Sequence, residues 1–321
     1  MAKPKVFITR KLPEEVVSPF RNQLDIDMWP EEEKAVPRQT MLEKCKDMDG
    51  VVTMLSDKID EQLLGQAPSL KIVCNLAVGY DNIDLDAAQK HGVTVTNTPD
   101  VLTDTTADLT FGLLMATARR LVEANQYIKD GKWNHWSPLL LAGKDIHHKT
   151  IGIVGMGRIG EAVAKRATGF EMEILYHNRS RKQDAERNLG ATYVEMDELL
   201  ERSDFVVCMT PLTDETREMF DEQAFRKMKK DAMFINGSRG QTVNEGDLYD
   251  ALVKGEIAAA GLDVFEKEPI GKDHPLLKLD QVVCLPHIGS ASVETRHEMM
   301  KLCLDNLDLY FQEKQPKTVV I

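Results

Sequence analysis

The sequence of 321 residues lacks long hydrophobic runs, and no stretch approaches the roughly 18 apolar residues that a membrane-spanning helix needs. Its N-terminal residues lead towards a predicted strand without the apolar segment of a signal peptide. Basic residues are also fewer than acidic ones: the sequence has 40 Lys and Arg and 52 Asp and Glu, which gives a net charge of −12. We therefore expect no nucleic-acid or membrane partner, and an anionic substrate would have to be attracted by local cations.

Cysteine is sparse and is not arranged in pairs. The five cysteines are scattered, odd in number and mostly set in apolar runs: Cys45, Cys74, Cys208, Cys284 and Cys303. This pattern favours buried thiols in a reducing, cytoplasmic setting over a disulfide framework. No spacing of His, Cys, Asp or Glu indicates a metal site, and the chain has no sequence repeats or low-complexity segments. The length predicts about two domains with an ample core.

The most informative stretch opens with the apolar run Thr150–Val154, which has the β-branched residues of a strand. A G-x-G-x-x-G sequence follows, then a helical pattern and a second apolar strand ending at His177. The first glycine allows a tight turn, the second lets a pyrophosphate approach the backbone, and the third lets the helix pack against the strand. This predicts a dinucleotide-binding turn made by Gly155, Gly157, Arg158, Ile159 and Gly160.

The end of that second strand departs from the usual NAD pattern. An acidic residue normally holds the adenosine ribose there, but this chain has Asn178, Arg179, Ser180 and Arg181, followed by a lysine. A guanidinium can bind a 2′-phosphate through two hydrogen bonds, whereas a carboxylate would repel it. The run therefore favours NADP, with NADPH preferred and NADH possible. The alternative interpretation is a basic, solvated helix start.

Strand and helix patterns alternate along the chain. Strands are predicted at 6–9, 24–28, 50–53, 71–74, 93–96, 204–208, 232–235, 258–262 and 282–284. Helical patterns lie near 13–21, 38–46, 60–66, 84–90, 221–228 and 244–253. Such alternation predicts an α/β fold of two doubly wound, parallel-sheet, Rossmann-like domains.

Two further helices define the expected domain boundaries. Asp104 to Ile128 has the pattern of one long helix that connects the domains, and a final helix over about 291–312 would return to the first domain. The cofactor domain is therefore expected to be inserted in a discontinuous one. The predicted domains are 1–99 plus 290–321, of flavodoxin-like type, and 100–289, the NAD(P)-binding Rossmann domain.

Loops at strand ends are candidate ligand sites, because open α/β sheets bind ligands at the carboxyl ends of their strands. One loop contains Leu55, and another runs from Ala77 to Asn82, where consecutive N–H groups could hold a carboxylate. Ordinary turn chemistry is the alternative for the second loop. A loop with Trp133 and Trp136 follows the long helical pattern, and its aromatics indicate either an interface or core plugs.

Three later strand ends carry residues suited to binding an anion and managing a proton. Arg239 lies in a glycine-flanked turn, Glu268 follows the next strand, and His287 follows the last one. His287 is the only one of the eight histidines that directly follows a strand and nearly precedes a glycine. Each residue has an alternative role, since Arg239 could cap a helix, Glu268 could be surface charge and His287 could be structural.

Taken together, these motifs resemble the D-isomer-specific 2-hydroxyacid dehydrogenase family over essentially the whole chain. The matching segments are 78–82, the glycine motif, 236–240, 262–269 and 286–290. The resemblance implies that Arg239, Glu268 and His287 form the catalytic set, and that Leu55, Val78, Gly79, Arg239, His287 and Trp136 contact the substrate. It also implies a cofactor environment that includes Thr106, Thr210, Pro211, Thr216, Gly237, Ser238, Asp263 and Gly289.

Within that family the Trp loop and the basic run most resemble the glyoxylate and hydroxypyruvate reductases. The resemblance implies NADPH-dependent reduction of a small 2-oxo acid to the D-2-hydroxy acid, in a homodimer whose Trp136 reaches the partner subunit's active site. The alternatives are a 2-ketogluconate reductase, an NAD-dependent D-3-phosphoglycerate or D-lactate type, or a dinucleotide-sensing co-repressor. One departure is Asp108, where the family often carries Glu.

Overall fold

The computed structural model describes residues 2–321, which contain twelve β-strands and twelve α-helices. The strands are β1 (Lys5–Ile8), β2 (Asp25–Met28), β3 (Gly50–Thr53), β4 (Ile72–Asn75), β5 (Thr94–Thr96), β6 (Thr150–Val154), β7 (Glu173–His177), β8 (Thr192–Tyr193), β9 (Phe205–Cys208), β10 (Met233–Asn236), β11 (Ala259–Leu262) and β12 (Val282–Cys284). The helices are α1 (Glu14–Val17), α2 (Arg38–Cys45), α3 (Glu61–Gln66), α4 (Leu85–Lys90), α5 (Thr103–Ala118), α6 (Leu121–Lys129), α7 (Arg158–Thr168), α8 (Gln183–Leu189), α9 (Met196–Arg202), α10 (Glu222–Lys227), α11 (Glu245–Lys254) and α12 (Val293–Phe311).

The described residues divide into two compact units. The first unit comprises the residues up to Leu102 together with Ala291–Ile321, and the second unit is Thr103–Ser290. The sequence placed the two boundaries after residues 99 and 289, whereas the structure places them after Leu102 and Ser290.

The first unit is built on a five-stranded sheet in the order β2-β1-β3-β4-β5, and every neighbouring pair is parallel. Helix α12 packs on β3 and β4. Gly50 allows this close packing, because a Cβ there would lie 2.8 Å from the Leu307 side chain. The order of the strands reverses between β1 and β3, and the loop after β3 carries Leu55.

The second unit is built on a seven-stranded sheet in the order β12-β11-β10-β9-β6-β7-β8, again parallel throughout. Its central strands are buried on both faces, as expected for a parallel sheet covered by helices. In β6, for example, Ile151, Ile153 and Val154 are at most 1% exposed. The strand order reverses between β6 and β9, and such a reversal opens a crevice at the carboxyl ends of the strands.

The expected single helix from Asp104 to Ile128 is wrong, because the structure has two helices, α5 and α6. The Ala118 carbonyl accepts the N–H of Lys144 at 2.8 Å, so the returning chain occupies an acceptor that a continuing helix would use. Arg120 adopts φ = 52°, which ends the helical path. The α6 residues Leu121 and Val122 are each 53% exposed.

The sequence patterns did not predict α8, β8 and α9, which follow the basic run after β7. These elements are seven, two and seven residues long, and α8 buries only Ala185. With so few buried positions, these elements show no detectable hydrophobic periodicity in the sequence. Within residues 2–321, no helix combines the length and apolar character that crossing a membrane requires.

Candidate active site

The glycine motif forms the turn between β6 and α7 at the strand-order reversal of the second unit. Gly155 has φ = +101°, and a Cβ there would lie 2.6 Å from the Met209 backbone, at the end of β9. A Cβ on Gly160 would lie 2.2 Å from the Gly155 carbonyl oxygen. A Cβ on Gly157 would meet no atom within 4 Å, so this position is open.

The N-terminus of α7 is suited to an anion. Gly157 is its N-cap and supplies no side-chain hydrogen bond, so the first N–H groups of the helix lack the acceptor that a capping side chain would provide. Arg158 begins the helix and is exposed, and Ile159 is half-buried. The open glycine and the uncapped helix fit the pyrophosphate of a dinucleotide.

The two arginines of the basic run after β7 make different contacts. Arg181 donates two hydrogen bonds to the Glu186 carboxylate, at 3.0 and 2.8 Å, and lies over the Tyr193 ring. These bonds from Arg181, with one from the Tyr176 hydroxyl, hold the pKa of Glu186 below its ordinary value. The pKa of Glu215 lies below its ordinary value, chiefly because of a hydrogen bond with Thr213 and one with its own backbone. The charge of the exposed Arg179 lowers this pKa further.

Arg179 and its neighbours border the loop that follows β9. In the basic run, the Asn178 side chain donates to the Ser180 carbonyl at 2.8 Å and closes a turn. In the loop after β9, the Thr216 hydroxyl donates to the Pro211 carbonyl at 2.7 Å. Thr210, at the start of that loop, is buried. Each loop is therefore held by its own hydrogen bond, and the link between them is the charge of Arg179, which acts on Glu215 in the loop after β9.

The turn after β10 holds the backbone of Arg239 in place. The Asn236 side chain accepts the Ser238 N–H at 3.0 Å and donates to the Arg239 carbonyl at 3.0 Å. Tight packing surrounds this turn, since a Cβ on Gly240 would overlap the Phe265 backbone at 1.7 Å. A Cβ on Gly237 would approach Thr110 of α5 at 2.6 Å. Arg239 precedes a short 3₁₀ turn but makes no side-chain cap to it.

Glu268 and His287 form a hydrogen-bonded pair. His287 Nδ1 lies 2.8 Å from Glu268 Oε2, and the other carboxylate oxygen accepts the Phe265 N–H at 2.9 Å. Burial raises the pKa of Glu268, but the hydrogen bond and charge of His287, the Phe265 N–H and the charge of Arg239 outweigh it, so this pKa lies below its ordinary value. The second ring nitrogen of His287, Nε2, has no partner among residues 2–321.

Asp263 holds the backbone at His287 and Ile288 in place through hydrogen bonds. It is 1% exposed, its carbonyl accepts the His287 N–H at 2.8 Å, and its carboxylate accepts the Ile288 N–H at 2.8 Å. Burial raises the pKa of Asp263 above its ordinary value, although the Ile288 N–H and the charge of His287 oppose the shift. A Cβ on Gly289 would lie 3.3 Å from both Asp263 and Thr106, so these predicted cofactor neighbours adjoin one another.

Leu55, Val78 and Gly79 lie in the first unit, in loops that follow β3 and β4. The other predicted site residues lie in the second unit. Within the first unit the two loops are tied by asparagine side chains, which the sequence analysis did not single out. Asn75 ends β4 and Asn97 directly follows β5, and these positions at strand ends were the available signal; Asn82 lies in the loop between β4 and α4.

The Trp loop is exposed. Trp133 is 58% exposed and Trp136 is 76% exposed, so the core-plug interpretation is wrong. Asp108, the departure from the family pattern, accepts a hydrogen bond from Arg166 of α7 at 2.6 Å. Its role in this chain is therefore to join α5 to α7.

Metal-ligating residues do not gather anywhere in the described chain: residues 2–321 contain no group of three or more His, Cys, Asp or Glu placed to hold an ion. Four cysteines are buried free thiols, and Cys284 is partly buried. Cys208 lies under the Arg239 turn, with Sγ 3.2 Å from the Ser238 hydroxyl.

Residues 111–289 match the family profile described as D-isomer specific 2-hydroxyacid dehydrogenase, NAD binding domain. The chain is 49% identical over 319 residues to a glyoxylate reductase of Korarchaeum cryptofilum, covering 99% of this chain and 96% of that one.

Solved structures agree in fold. A glyoxylate reductase from Paecilomyes thermophila has a TM-score of 0.89 and 32% identity, covering 100% of this chain and 99% of its own. An NADPH-dependent glyoxylate/hydroxypyruvate reductase from Sinorhizobium meliloti, in complex with NADP and malonate, has a TM-score of 0.84 and 35% identity, covering 99% of this chain and 97% of its own. With a glycine turn open to a dinucleotide, a paired His and Glu, and relatives matched over nearly its full length, this chain belongs to the D-isomer-specific 2-hydroxyacid dehydrogenase family.

Proposed function

We propose that the protein reduces a small 2-oxo acid, glyoxylate or hydroxypyruvate, to glycolate or D-glycerate, and that it prefers NADPH to NADH. The observation that carries this proposal is the His287–Glu268 pair at 2.8 Å, which leaves Nε2 available as a proton donor. Arg239 lies near enough to this pair to act on the charge of Glu268. An imidazole that is oriented by a carboxylate and adjoins a guanidinium suits reduction of an anionic carbonyl compound.

The proposed mechanism assigns a role to each of these residues. When bound, the reduced nicotinamide supplies the hydride that adds to C2 of the substrate. Arg239 binds the substrate carboxylate and its carbonyl oxygen, and His287 donates the Nε2 proton to that oxygen as the C=O bond becomes a C–O–H group. Glu268 keeps the ring oriented and stabilises its protonated form. Backbone N–H groups near Val78, Gly79 and Leu55 bind the rest of the carboxylate.

The cofactor fits the residues of the second unit. The α7 N-terminus with Gly155, Gly157 and Gly160 would hold the pyrophosphate, and Arg179 would bind a 2′-phosphate. The absence of an acidic residue at Asn178 supports NADPH over NADH. Asp263 would hold the nicotinamide carboxamide, and Thr210, Pro211 and Thr216 would line the adenosine side.

We further propose a homodimer in a reducing, cytoplasmic setting. The exposed apolar side chains of α6 and of the Trp loop support the dimer, and the free thiols support the setting. Trp136 would then reach the partner subunit's active site.

A steady-state panel tests the function directly. Glyoxylate, hydroxypyruvate, 2-ketogluconate and pyruvate are compared by kcat/KM, each with NADPH and with NADH. We expect the highest values for glyoxylate or hydroxypyruvate with NADPH. A higher value for 2-ketogluconate or for pyruvate with NADH would assign the protein to the corresponding alternative. Dinucleotide binding without turnover of any 2-oxo acid would indicate a sensor and overturn the enzymatic proposal.

A further inference from the structure

The loop after β4 presents hydrogen-bond donors that the protein itself does not use. Val78 and Gly79 are half-buried and Tyr80 is 41% exposed. Among residues 2–321, neither the Gly79 N–H nor the Tyr80 N–H donates a hydrogen bond. Backbone N–H groups are strong hydrogen-bond donors that seek an acceptor, so the half-buried Gly79 N–H and the neighbouring Tyr80 N–H are open to an acceptor from outside the protein.

The carbonyl groups of the same two peptides are held by asparagine side chains. Asn97 Nδ2 donates to the Val78 oxygen at 2.8 Å, and Asn75 Nδ2 donates to the Gly79 oxygen at 2.8 Å. A carbonyl oxygen can only accept, so the side-chain amide nitrogen of each asparagine must face it. In a trans peptide the N–H points away from the C=O. The two asparagines therefore direct the N–H groups of Gly79 and Tyr80 away from themselves.

Asn82 joins this arrangement to the neighbouring loop. It pairs reciprocally with Asn75 through two hydrogen bonds of 3.1 and 3.2 Å, and its Nδ2 also donates to the Asp57 carbonyl at 3.0 Å. Asp57 in turn accepts the Met54 N–H at 2.9 Å and a hydrogen bond from Thr9. The loop with Leu55 and the loop with Val78 are thus held in one fixed arrangement.

Of the three supports, Asn75 is fully buried, whereas Asn82 and Asn97 are half-buried. The Oδ1 of Asn75 accepts the Thr53 hydroxyl at 2.9 Å. A peptide flip in the loop would remove the Gly79 oxygen from the Asn75 amide, and a buried unpaired polar group is costly. The donors are therefore oriented before any ligand arrives, which removes that cost from binding.

We propose that Asn75 and Asn97, with Asn82, are positioning residues that aim the Gly79 and Tyr80 N–H groups at the carboxylate of the 2-oxo acid. This inference rests on the proposed function. The asparagines act through the peptide groups and do not touch the substrate. Neutral amides suit this role, because they orient the donors without adding a charge that would compete for the carboxylate.

The test compares Asn97→Ala and Asn75→Ala with the unaltered protein. Oxamate, which carries the same carboxylate as glyoxylate and is not reduced, serves as the binding probe. We expect KM for glyoxylate and the inhibition constant of oxamate to rise together by about tenfold, as for a weakened hydrogen bond to a charged group. The Kd for NADPH, measured by fluorescence, should change by less than about twofold.

Asn244→Ala is the matched control, because Asn244 caps α11 in the second unit through the Asp247 N–H. It should lower the melting temperature without changing either oxamate inhibition or KM. Asn97 is only half-buried, so its variant keeps the test decisive if Asn75→Ala fails to fold. A folded Asn97→Ala with unchanged KM and oxamate inhibition would overturn this inference alone. Absence of 2-oxo acid turnover in the unaltered protein would instead overturn the proposed function, and this inference with it.

Discussion

His287 is held through both its backbone and its ring. Its backbone adopts φ = 54°, which is uncommon for a residue other than glycine, and its N–H donates to Asp263. Its ring is bound by Glu268. The hydrogen bond and charge of His287 are the main favourable contributions that hold the pKa of Glu268 below its ordinary value.

A pH–rate profile tests this pair. In the proposed mechanism His287 donates a proton, so kcat/KM for reduction should be high at lower pH and should fall as pH rises. Because the pKa of Glu268 lies below its ordinary value, the carboxylate stays ionised across the neutral range and supports the imidazolium there. In Glu268→Gln the basic limb should therefore begin at lower pH, with activity partly kept at acidic pH.

His287→Ala should reduce turnover by about 10²–10⁴-fold, while its NADPH affinity changes little. An unchanged basic limb in Glu268→Gln would remove Glu268 from its proposed role. Near-normal turnover in His287→Ala would contradict the mechanism.

Cofactor preference is also decided by single residues. Glu186 engages the guanidinium of Arg181, whereas the exposed Arg179 has no such ion pair within residues 2–321. Arg179→Ala should erode the preference for NADPH by about 10- to 100-fold, chiefly through KM, as expected for one charge-assisted phosphate contact. Arg181→Ala should change it less.

Glu186→Gln completes this series, because it removes the charge that competes for Arg181. The ratio of NADH to NADPH dissociation constants should then rise, since Arg181 becomes available to a 2′-phosphate. The measurement is a titration of each variant with both cofactors at fixed ionic strength. Equal use of NADH by the unaltered protein would refute the NADPH preference itself.

At the scale of elements, the β6–α7 turn separates structural glycines from ligand-facing ones. Gly160→Ala would place a Cβ 2.2 Å from the Gly155 carbonyl oxygen. We expect it to lower the free energy of unfolding by about 1–3 kcal/mol, as overpacking does. Thermal or denaturant unfolding measures this loss.

Gly157→Ala is the counterpart, because a Cβ there meets nothing in the protein. Its melting temperature should stay near that of the unaltered protein, while dinucleotide affinity should fall because the methyl group occupies space that the pyrophosphate needs. Unchanged affinity in Gly157→Ala would argue against binding of a pyrophosphate at this turn.

For the whole molecule, the exposed apolar residues concentrate in α6 and the loop that follows it. Leu121, Val122, Ile128, Trp136 and Leu139 are between 53% and 81% exposed. Exposed apolar patches of this kind commonly mark interfaces. Replacing Leu121 and Val122 with Ser should therefore shift the molecular mass measured by light scattering towards that of a monomer. Unchanged mass would place any interface elsewhere.

Trp136→Ala addresses the finer question of what this loop does for the site. If Trp136 enters the partner subunit's pocket, KM or the substrate preference should change while NADPH affinity does not. The substrate panel and the cofactor titration are run on the same preparation. A change in mass alone, with unaltered kinetics, would limit Trp136 to a role in assembly.

Much of this protein is determined by short stretches of sequence. The glycine turn and the apolar strands around it could be identified without coordinates, because each depends on local backbone chemistry. Arg239, Glu268 and His287 were candidates from their positions after strands, and the family resemblance selected them over their alternative roles. The alternation of strands and helices likewise predicted two parallel sheets. These features need only neighbours in the chain.

Other features depend on partners that are distant in sequence, and only the tertiary structure decided them. The helix beginning near Thr103 ends at Ala118 because Lys144 returns to its last turn. Trp136 is exposed rather than buried, and Arg181 is engaged by Glu186. Asn97 and Asn75 reach one loop from two different strands. A local pattern cannot encode such contacts, since their free energy depends on which surfaces the completed fold brings together.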